Sequence, residues 1–372
     1  MVLSSSLSRC LLAVGLPALA FLAGCGKVGE PESAVKTEPE MMDLDAAVSA
    51  VKAWMPAEGY MTNRFIPGEE AMASPPAFDR PVTLRVGAPW ILNDEVAPWF
   101  LASDLGFFEE AGISVDLVAG GPGKNHLTTL MAGNVDLTVI NESSHVPKLL
   151  ASPTGKPLLM IGTLLRRSPF IYLGIDDTVP TDQPSHRQPA PADLAGARIG
   201  VEITSEHITD FLIRYYRLDP EPVKVRGASM EMLRAGRVDF MAAWIQNQPR
   251  VLEREGILNW YALPKAAFGW EEYADVSVVL KSFAEENPDV LRRYLWGLRK
   301  GIRFMLDHPE RAAAITAPYI PDTGLTASDI RRRFELQRDL VLGEDGDLLR
   351  MDPETLDVAA AHMVMTGILD PE

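Results

Sequence analysis

Aromatic and amide side chains follow two short apolar segments of this chain, and together they could recognise a flat polar ring. Trp90 and Asn93 follow one segment, and Trp244, Gln246 and Asn247 follow the other. An indole ring stacks on a planar group, while amide side chains both donate and accept hydrogen bonds. The residue types therefore indicate noncovalent recognition of a planar heterocycle. Packing at the rim of a cleft is the structural alternative for Trp90.

Further candidate residues lie where other apolar segments end, which is where α/β sheets bind their ligands. These candidates are Gly121, Pro122 and Asn125 in a glycine-rich turn, then Asn141, Glu142 and Ser143, then Glu202, Thr204 and His207, and finally Trp270 and Tyr273. Ser143 could instead cap a helix, and His207 could lie on a helix surface. Trp270 and Tyr273 could line either the cleft or the hinge.

The charges among these candidates bear on the class of ligand. Sulfonate and nitrate are bound by arginine or by several aligned N–H donors. Glu142 and Glu202 stand at the predicted strand ends, whereas Arg166 and Arg226 are less well placed. The pattern favours a neutral or weakly basic heterocycle over a strong anion.

An internal echo indicates which elements hold these residues. Residues 130–137 read LMAGNVDL and residues 233–240 read LRAGRVDF. Each copy is typical of a helix end, a glycine that reaches positive φ without strain, and a short strand. The same unit used twice predicts two similar α/β lobes, and a cleft between two lobes is a common site for small molecules.

The hydrophobic pattern predicts the order of the elements. Residues 82–86 and 113–118 alternate as half-buried strands and flank a helix over 98–111, with Asp94 as its candidate N-cap. The pattern from residue 283 onward is almost entirely helical. The predicted organisation is lobe one over 82–176, a Pro-rich crossing or loop over 177–192, lobe two over 193–269, and a return to lobe one with C-terminal helices over 270–372.

The first residues are typical of an exported lipoprotein. Residues 1–24 carry one basic residue and an apolar run too short to span a membrane, and they predict a signal peptide. The run ends in Leu-Ala-Gly before Cys25, which predicts lipidation of Cys25 and a membrane-anchored lipoprotein in the periplasm or at the cell surface. Residues 25–81 read as a tether with a possible short helix over 42–55. That helix would either pack on the globular body or dock a partner.

Composition excludes several classes of protein. The formal net charge of −16 over 372 residues argues against nucleic acid and anionic lipid as direct partners. Cys10 and Cys25 are the only cysteines, so we expect neither disulfides nor thiol catalysis in the mature chain. The common hydrolase, metalloprotease and phosphate-loop motifs are absent from the sequence, and we expect neither an enzyme nor a metal or cofactor site.

Five short motifs follow one another along the chain. They are ASDLGFFEEAGISV at 102–115, GGPGKN at 120–125, AGNVD at 132–136, DLAG at 193–196 and NQP at 247–249. In this order they resemble the substrate-binding proteins of ABC importers, in the branch that serves sulfonates, taurine, nitrate, thiamine pyrimidine precursors and riboflavin, and the resemblance covers roughly residues 82–315. The last departs from the family's Asn-Glu-Pro by having Gln248.

The resemblance implies a type II periplasmic binding protein fold, with two α/β lobes around a ligand cleft and a helical C-terminal region packed on lobe one. It implies a monomer that captures a small molecule and delivers it to an ABC permease and ATPase complex. Within this branch, the charge pattern favours a thiamine pyrimidine precursor or flavin-like compound as the ligand. A sulfonate-, nitrate- or taurine-binding protein of the same fold is an alternative, as is a solute-sensing lipoprotein. An enzyme similar to the fungal thiamine-pyrimidine synthase is disfavoured, because that enzyme works inside the cell and has a Cys-rich segment.

Overall fold

Two five-stranded sheets form the centres of two lobes. The computed structural model describes residues 43–371 apart from 122–123, 125, 153–155, 202–215, 226–229 and 344–345. In chain order the described strands are β1 (Val82–Gly87), β2 (Ile113–Val118), β3 (Leu137–Ile140), β4 (Leu158–Leu165), β5 (Phe170–Ile175), β6 (Arg198–Val201), β7 (Glu221–Lys224), β8 (Phe240–Trp244), β9 (Trp260–Pro264) and β10 (Ala274–Leu280).

Helices cover these sheets. The described α-helices are α1 (Leu44–Trp54), α2 (Ala97–Asp104), α3 (Phe107–Glu110), α4 (His126–Met131), α5 (His145–Leu150), α6 (Glu231–Arg234), α7 (Gln248–Arg254), α8 (Lys281–Glu286), α9 (Pro288–Asp307), α10 (Pro309–Thr316), α11 (Ala327–Val341) and α12 (Pro353–Met365). Short 3₁₀ helices include Asp94–Val96 and Lys265–Phe268. The predicted helix over 98–111 is divided, because Gly106 adopts a φ of 77° between α2 and α3.

The two sheets share one topology. Their strand orders are β2-β1-β3-β10-β4 in lobe one and β7-β6-β8-β5-β9 in lobe two. In each sheet one strand runs antiparallel to both of its neighbours, namely β10 in lobe one and β5 in lobe two. Each of these strands is the one that has just entered from the other lobe, and both are almost completely buried. This is the two-lobe arrangement that the sequence predicts.

The crossing between the lobes lies earlier than predicted. Phe170–Ile175 forms β5, which pairs with β8 and β9 of lobe two, so the first crossing is the short stretch 166–169. The predicted end of lobe one at residue 176 and start of lobe two at residue 193 are therefore wrong. Residues 177–192 instead form a loop within lobe two, where Ser185 donates a hydrogen bond to Asp176 at 2.7 Å. Proline density predicted a break in the chain but could not say which sheet the preceding strand joins.

The repeated motif has the same structural role in both lobes. Gly133 and Gly236 adopt φ values of 75° and 62° at the ends of α4 and α6. The aspartate three residues after each glycine forms an ion pair of 2.6 Å with an arginine of the neighbouring parallel strand, β1 or β6. These pairs are Arg85 with Asp136 and Arg198 with Asp239. Each pair fixes a helix–strand connection to the neighbouring parallel strand.

Lobe one is held by the long helix α9. Leu291, Leu295, Leu298, Ile302 and Met305 share one face, as their spacing predicts, and all are buried in the lobe-one core. α9 lies close to α2, where the indole N–H of Trp99 donates to the hydroxyl of Tyr294 at 2.8 Å. α11 packs against the same core. The last helix, α12, contributes buried side chains to the core of lobe two.

The segment before the first strand is packed where it is described, so the predicted tether is wrong for residues 56–81. The possible helix over 42–55 is present as α1 and packs on the globular body, which was one of its two predicted alternatives. α1 contributes buried side chains to the lobe-two core. Tyr60 and Met61 are buried against β4, and the Met160 N–H donates to the Tyr60 carbonyl at 2.8 Å. Residues 67–71 lie over α9, where the Trp296 indole N–H donates to the Ala71 carbonyl at 3.1 Å. Apolar residues spaced among the prolines of this segment supply these contacts.

Candidate functional site

A tight turn after β1 carries two acidic side chains into the interior. The side chain of Asn93 accepts a hydrogen bond from the Glu95 N–H at 2.9 Å and so caps the 3₁₀ helix Asp94–Val96. Asn93, rather than the predicted Asp94, is the capping residue. The turn buries both Asp94 and Glu95.

A third carboxylate lies near these two. Asp275, in β10, is buried and adopts the left-handed φ of 51°. Burial raises the pKa of Asp275 well above its ordinary value, and the charges of Glu95 and Asp94 raise it further. Burial also raises the pKa of Asp94 and Glu95. Arg333 of α11 opposes this effect at Asp94 through an ion pair of 2.7 Å.

Lobe two meets these carboxylates at the end of β8. The side-chain N–H of Asn247 donates to Glu95 Oε1 at 2.8 Å, which joins the two lobes directly. Trp244 packs against the lobe-one core, and its backbone N–H donates to the Gln248 side-chain oxygen, Oε1, at 2.7 Å. The residues after β8 in lobe two therefore contact the turn after β1 in lobe one.

Several buried polar atoms at this junction have spare hydrogen-bonding capacity. Both side-chain polar atoms of Gln246, Oδ1 of Asn247 and Oδ1 of Asp275 have no hydrogen-bond partner among the described residues. Gln246 is 0% exposed. A buried polar atom without a partner costs about 1–3 kcal/mol, so a solute that used this capacity would gain affinity. The junction can offer both donors and acceptors.

An ion pair joins the lobes beside this junction. Arg250 of α7 lies 3.1 Å from Asp329 of α11, and it is also paired with Glu253. Arg250 and Arg333, the two arginines of these ion pairs, are therefore each compensated by a carboxylate.

The loop after β2 packs tightly against the turn after β1. The Gly120 N–H donates to the Trp90 carbonyl at 2.9 Å, and a Cβ on Gly120 would lie 2.8 Å from the carbonyl oxygen of Ala88. Gly121 has a φ of 140°, which disfavours other residues. The Trp90 side chain is 40% exposed and could stack on a ligand.

The end of β3 has a different role from the one its sequence suggests. Ser143 is fully buried, its N–H donates to the Tyr273 carbonyl at 2.9 Å, and its Oγ accepts from the Tyr273 N–H at 3.2 Å. These bonds join the start of α5 to residues 265–273, which lead from β9 of lobe two back to β10 of lobe one and are called the return connection. Asn141 and Glu142 are half-buried beside them.

Glu142 connects the strand end to a buried lysine. Its carboxylate lies 3.8 Å from Lys265 Nζ and 3.8 Å from His145 Nε2. Lys265 is buried, is ion-paired with Glu272, and lies 4.3 Å from the centre of the Trp270 ring. Trp270 and Tyr273 thus belong to the buried return connection, which was one of the two positions that the sequence left open.

The fold and the sequence can both be compared with known proteins. A profile of the NMT1/THI5-like family matches residues 93–312. The chain belongs to the NMT1/THI5-like family. The resemblance based on its motifs is thereby confirmed, and the matched region of the family includes Glu95, Asn247 and Asp275. A search of curated proteins found no match.

Solved structures, one of them of a periplasmic binding protein, share the fold. The aliphatic sulphonate-binding protein SsuA of Escherichia coli aligns with a TM-score of 0.54 at 18% identity, over 77% of this chain and 86% of its own. A protein of Bordetella bronchiseptica RB50 aligns with a TM-score of 0.50 at 18% identity, over 78% of this chain and 90% of its own. At this identity the likeness establishes the type II two-lobe fold of this family member, and it says nothing about its ligand.

Some predicted residues lie outside the described part of the chain. These are Pro122, Asn125, Glu202, Thr204, His207 and Cys25. The lobe-two contribution from the end of β6, and the lipid anchor, therefore stay predictions.

Sequence reasoning missed the three carboxylates and both buried partners of the return connection. Asp94 and Glu95 resemble ordinary helix-capping residues, and Asp275 sits in a short polar–apolar stretch. Lys265 and Glu272 look like surface charges. The one signal in the sequence was that Asp94 and Glu95 directly follow Asn93, a predicted ligand contact. Their burial, however, depends on α11, which begins more than 200 residues later.

A groove of about 330 Å³ lies between α9 and residues 69–72, on lobe one, and its walls include Arg299, Arg303 and Phe107. Glu69 pairs with both arginines, and none of the strand-end residues lines this groove. Within the described ranges, no group of three His, Cys, Asp or Glu side chains is placed to hold a metal ion. No helix in the same part of the chain has the length and hydrophobicity needed to cross a membrane.

Proposed function

We propose that this protein is a solute-binding protein of an ABC importer, which holds a neutral or weakly basic heterocycle between its lobes. Thiamine pyrimidine precursors are the favoured class and flavin-like compounds are the next. The ligand would lie at the junction of β1, β8 and β10, with Trp90 or Trp244 available to stack on its ring.

The charge at this junction is the observation that supports the proposal best. Asp94, Glu95 and Asp275 are buried close enough to influence one another, and a single guanidinium, Arg333, pairs with Asp94 and also lowers the pKa of Glu95. A sulfonate or nitrate placed there would be repelled by the ionised members of this group, and Arg250 and Arg333 are already paired with carboxylates. A ring that carries amino or protonated nitrogen groups would instead donate hydrogen bonds to them.

The spare capacity of the amides supports the same class of ligand. Gln246 and Asn247 retain acceptor oxygens, and Gln246 also retains donor N–H groups. An aminopyrimidine presents donors and acceptors on one edge, which matches a mixed set of amide and carboxylate partners. Binding would stabilise the arrangement in which Asn247 contacts Glu95, so ligand and lobe closure would favour one another.

The location and the partners belong to the same proposal. Export by residues 1–24 and acylation of Cys25 would hold the protein at the outer side of a membrane, next to the permease that receives the solute. We expect a monomer and no catalysis. Replacement of Cys25 by serine should release the protein from the membrane fraction, and an unchanged distribution would contradict the anchor.

Native mass spectrometry of the chain from Gly26 tests the ligand class directly. The protein would be measured in its folded state and again after denaturation, so that any retained small molecule is released and weighed. Thermal denaturation would then be followed with 4-aminopyrimidine, riboflavin, taurine and nitrate. A true ligand at a hundredfold excess over its Kd should add about 2.7 kcal/mol to the free energy of unfolding.

The outcomes separate the candidate classes. Stabilisation by an aminopyrimidine or flavin supports the proposal. Stabilisation by taurine alone would replace the heterocycle with a sulfonate and would refute the argument from charge. If no compound co-purifies and none of the four changes the melting temperature, the proposed ligand class is wrong.

A further inference from the structure

The segment before β1 contacts the cores of both lobes. Ala47 and Val51 of α1 are buried in the lobe-two core, whereas Ala57 and Met61 are buried in a core of lobe one around β3, β4 and β10. Met55 packs against both cores. The chain therefore passes from one lobe to the other within a few residues after α1.

The last helix makes the same passage. Leu356, near the start of α12, belongs to the lobe-one core, and Ala360 and Met363 belong to the lobe-two core. A helix rises about 1.5 Å per residue, so this boundary is crossed within roughly two turns of one continuous helix. A continuous helix cannot bend sharply between its ends without the loss of backbone hydrogen bonds.

These two segments are bonded to each other. The Ala57 N–H donates to the buried Asp357 side chain at 2.8 Å. Asn63 and Met351 exchange two hydrogen bonds of 2.8 and 3.1 Å. We call residues 44–63 together with residues 351–365 the clasp.

The clasp is also attached to the return connection between the lobes. The Asp352 N–H donates to the Tyr273 hydroxyl at 2.6 Å, and the His362 ring stacks on Trp270 with a centroid distance of 5.4 Å. It lies entirely outside residues 93–312, the region that matches the family profile. Among the described residues, four segments thus pass between the lobes: 166–169, 265–273 and the two halves of the clasp.

We propose that the clasp restrains opening of the lobes and keeps the ligand-free protein close to the arrangement in which Asn247 contacts Glu95. Hinge opening is usually absorbed by a few loop residues. Here the same motion would pull the two ends of α12 in different directions and would expose apolar side chains of α1. The proposal rests on the ligand site assigned above in one respect, since it concerns access to that site.

Distances between spin labels on the two lobes test the restraint without any ligand. The chain that begins at Gly26 lacks both native cysteines, Cys10 and Cys25, so two introduced cysteines are its only labelled positions. Ser114→Cys in β2 and Glu221→Cys in β7 are exposed and lie on the edge strands farthest from the connections in their sheets. Opening should therefore displace these two positions more than others.

Two variants weaken the clasp in different ways. Val51→Asp places a charge at the seam between α1 and lobe two, and Asp357→Ala removes the acceptor of the Ala57 N–H. Ala53→Asp introduces the same charge on the exposed face of α1 and is the matched control. Circular dichroism melting curves would establish that each variant is folded. If Val51→Asp does not fold, the distance distribution of Asp357→Ala tests the restraint.

We expect one narrow distance distribution for the unaltered chain and for Ala53→Asp, and a second population at longer distance for Val51→Asp and Asp357→Ala. The proposal is overturned if folded clasp variants keep the distribution of the unaltered chain, or if the unaltered chain is itself broadly distributed. Because no ligand is present, a wrong ligand class would leave these results unchanged.

Discussion

His362 should make the stability of this protein fall steeply in mild acid. Its ring is buried against Trp270, and burial lowers its pKa from the ordinary 6.5 to about 4, with the charge of Lys265 acting in the same direction and Glu272 opposing it. Folding therefore favours the neutral ring. As the pH falls below 6.5 the unfolded chain takes up a proton that the folded chain does not, and folding loses free energy until the pH reaches about 4.

The size of the effect follows from the two pKa values. A difference from 6.5 to about 4 corresponds to roughly 3.4 kcal/mol when the pH is well below both values. Between pH 7 and pH 5 the loss from this single group should be about 2 kcal/mol, which is a large fraction of the stability of an ordinary domain.

Replacement by phenylalanine isolates this contribution. His362→Phe retains a ring that can stack on Trp270 and removes the titrating group. Urea unfolding at pH 7 and pH 5 should show that the unaltered chain loses about 2 kcal/mol more than the variant over this interval. His186→Phe, at an exposed position of the loop in lobe two, is the control and should keep the original pH dependence.

The test compares how the free energy of unfolding changes with pH in the unaltered chain and in His362→Phe. Other titrating groups contribute equally to the unaltered chain and the variant, so they cancel in the difference. Parallel pH dependences for the unaltered chain and His362→Phe would refute the argument from burial, whatever the absolute stability of the variant.

Three further predictions concern the junction and the core. Asp275→Asn should stabilise the ligand-free fold by about 1.4 kcal/mol for each unit by which folding raises the Asp275 pKa, because asparagine tolerates a φ of 51° and carries no charge. The gain should be present in urea unfolding at pH 7 and vanish below about pH 3.9, where the carboxyl is protonated in both states. The same variant should weaken ligand binding roughly tenfold or more in calorimetry, through the loss of a charge-assisted hydrogen bond, whereas Asp116→Asn on the exposed edge strand should change neither property. Gly301→Ala should destabilise the protein by about 1–3 kcal/mol despite the better helix propensity of alanine, because its Cβ would meet the Pro98 carbonyl; a more stable variant in urea would show that α2 and α9 can separate at no cost.

Local patterns in the sequence were sufficient for the elements and for the two-lobe plan. Gly133 and Gly236 end helices at positive φ, as the repeated motif predicts, because that requirement is local to the cap. The apolar face of α9 follows from its own spacing. The strand-end positions of Trp244 and Asn247 also follow from local pattern, since the mutually parallel strands of an α/β lobe end at the edge where such folds bind ligands.

Pairing between distant segments was beyond the reach of such patterns. Phe170–Ile175 is a buried apolar strand whichever sheet it joins, so its place in lobe two is decided by its partners β8 and β9. Residues 43–81 look like a linker until α12 and α9 supply surfaces for their scattered apolar side chains. A proline-rich composition indicates that a segment forms no long helix or strand, but it does not indicate what the segment packs against.

The sequence by itself determined the elements, the family and the presence of amide and indole groups at strand ends, because each of these depends on residues within a few positions of one another. The tertiary structure alone decided that Asp94, Glu95 and Asp275 share one buried site, that Lys265 and Glu272 form an internal ion pair, and that residues 44–63 and 351–365 cross between the lobes. Burial and electrostatic coupling depend on distances across the fold, and an isolated sequence does not contain those distances.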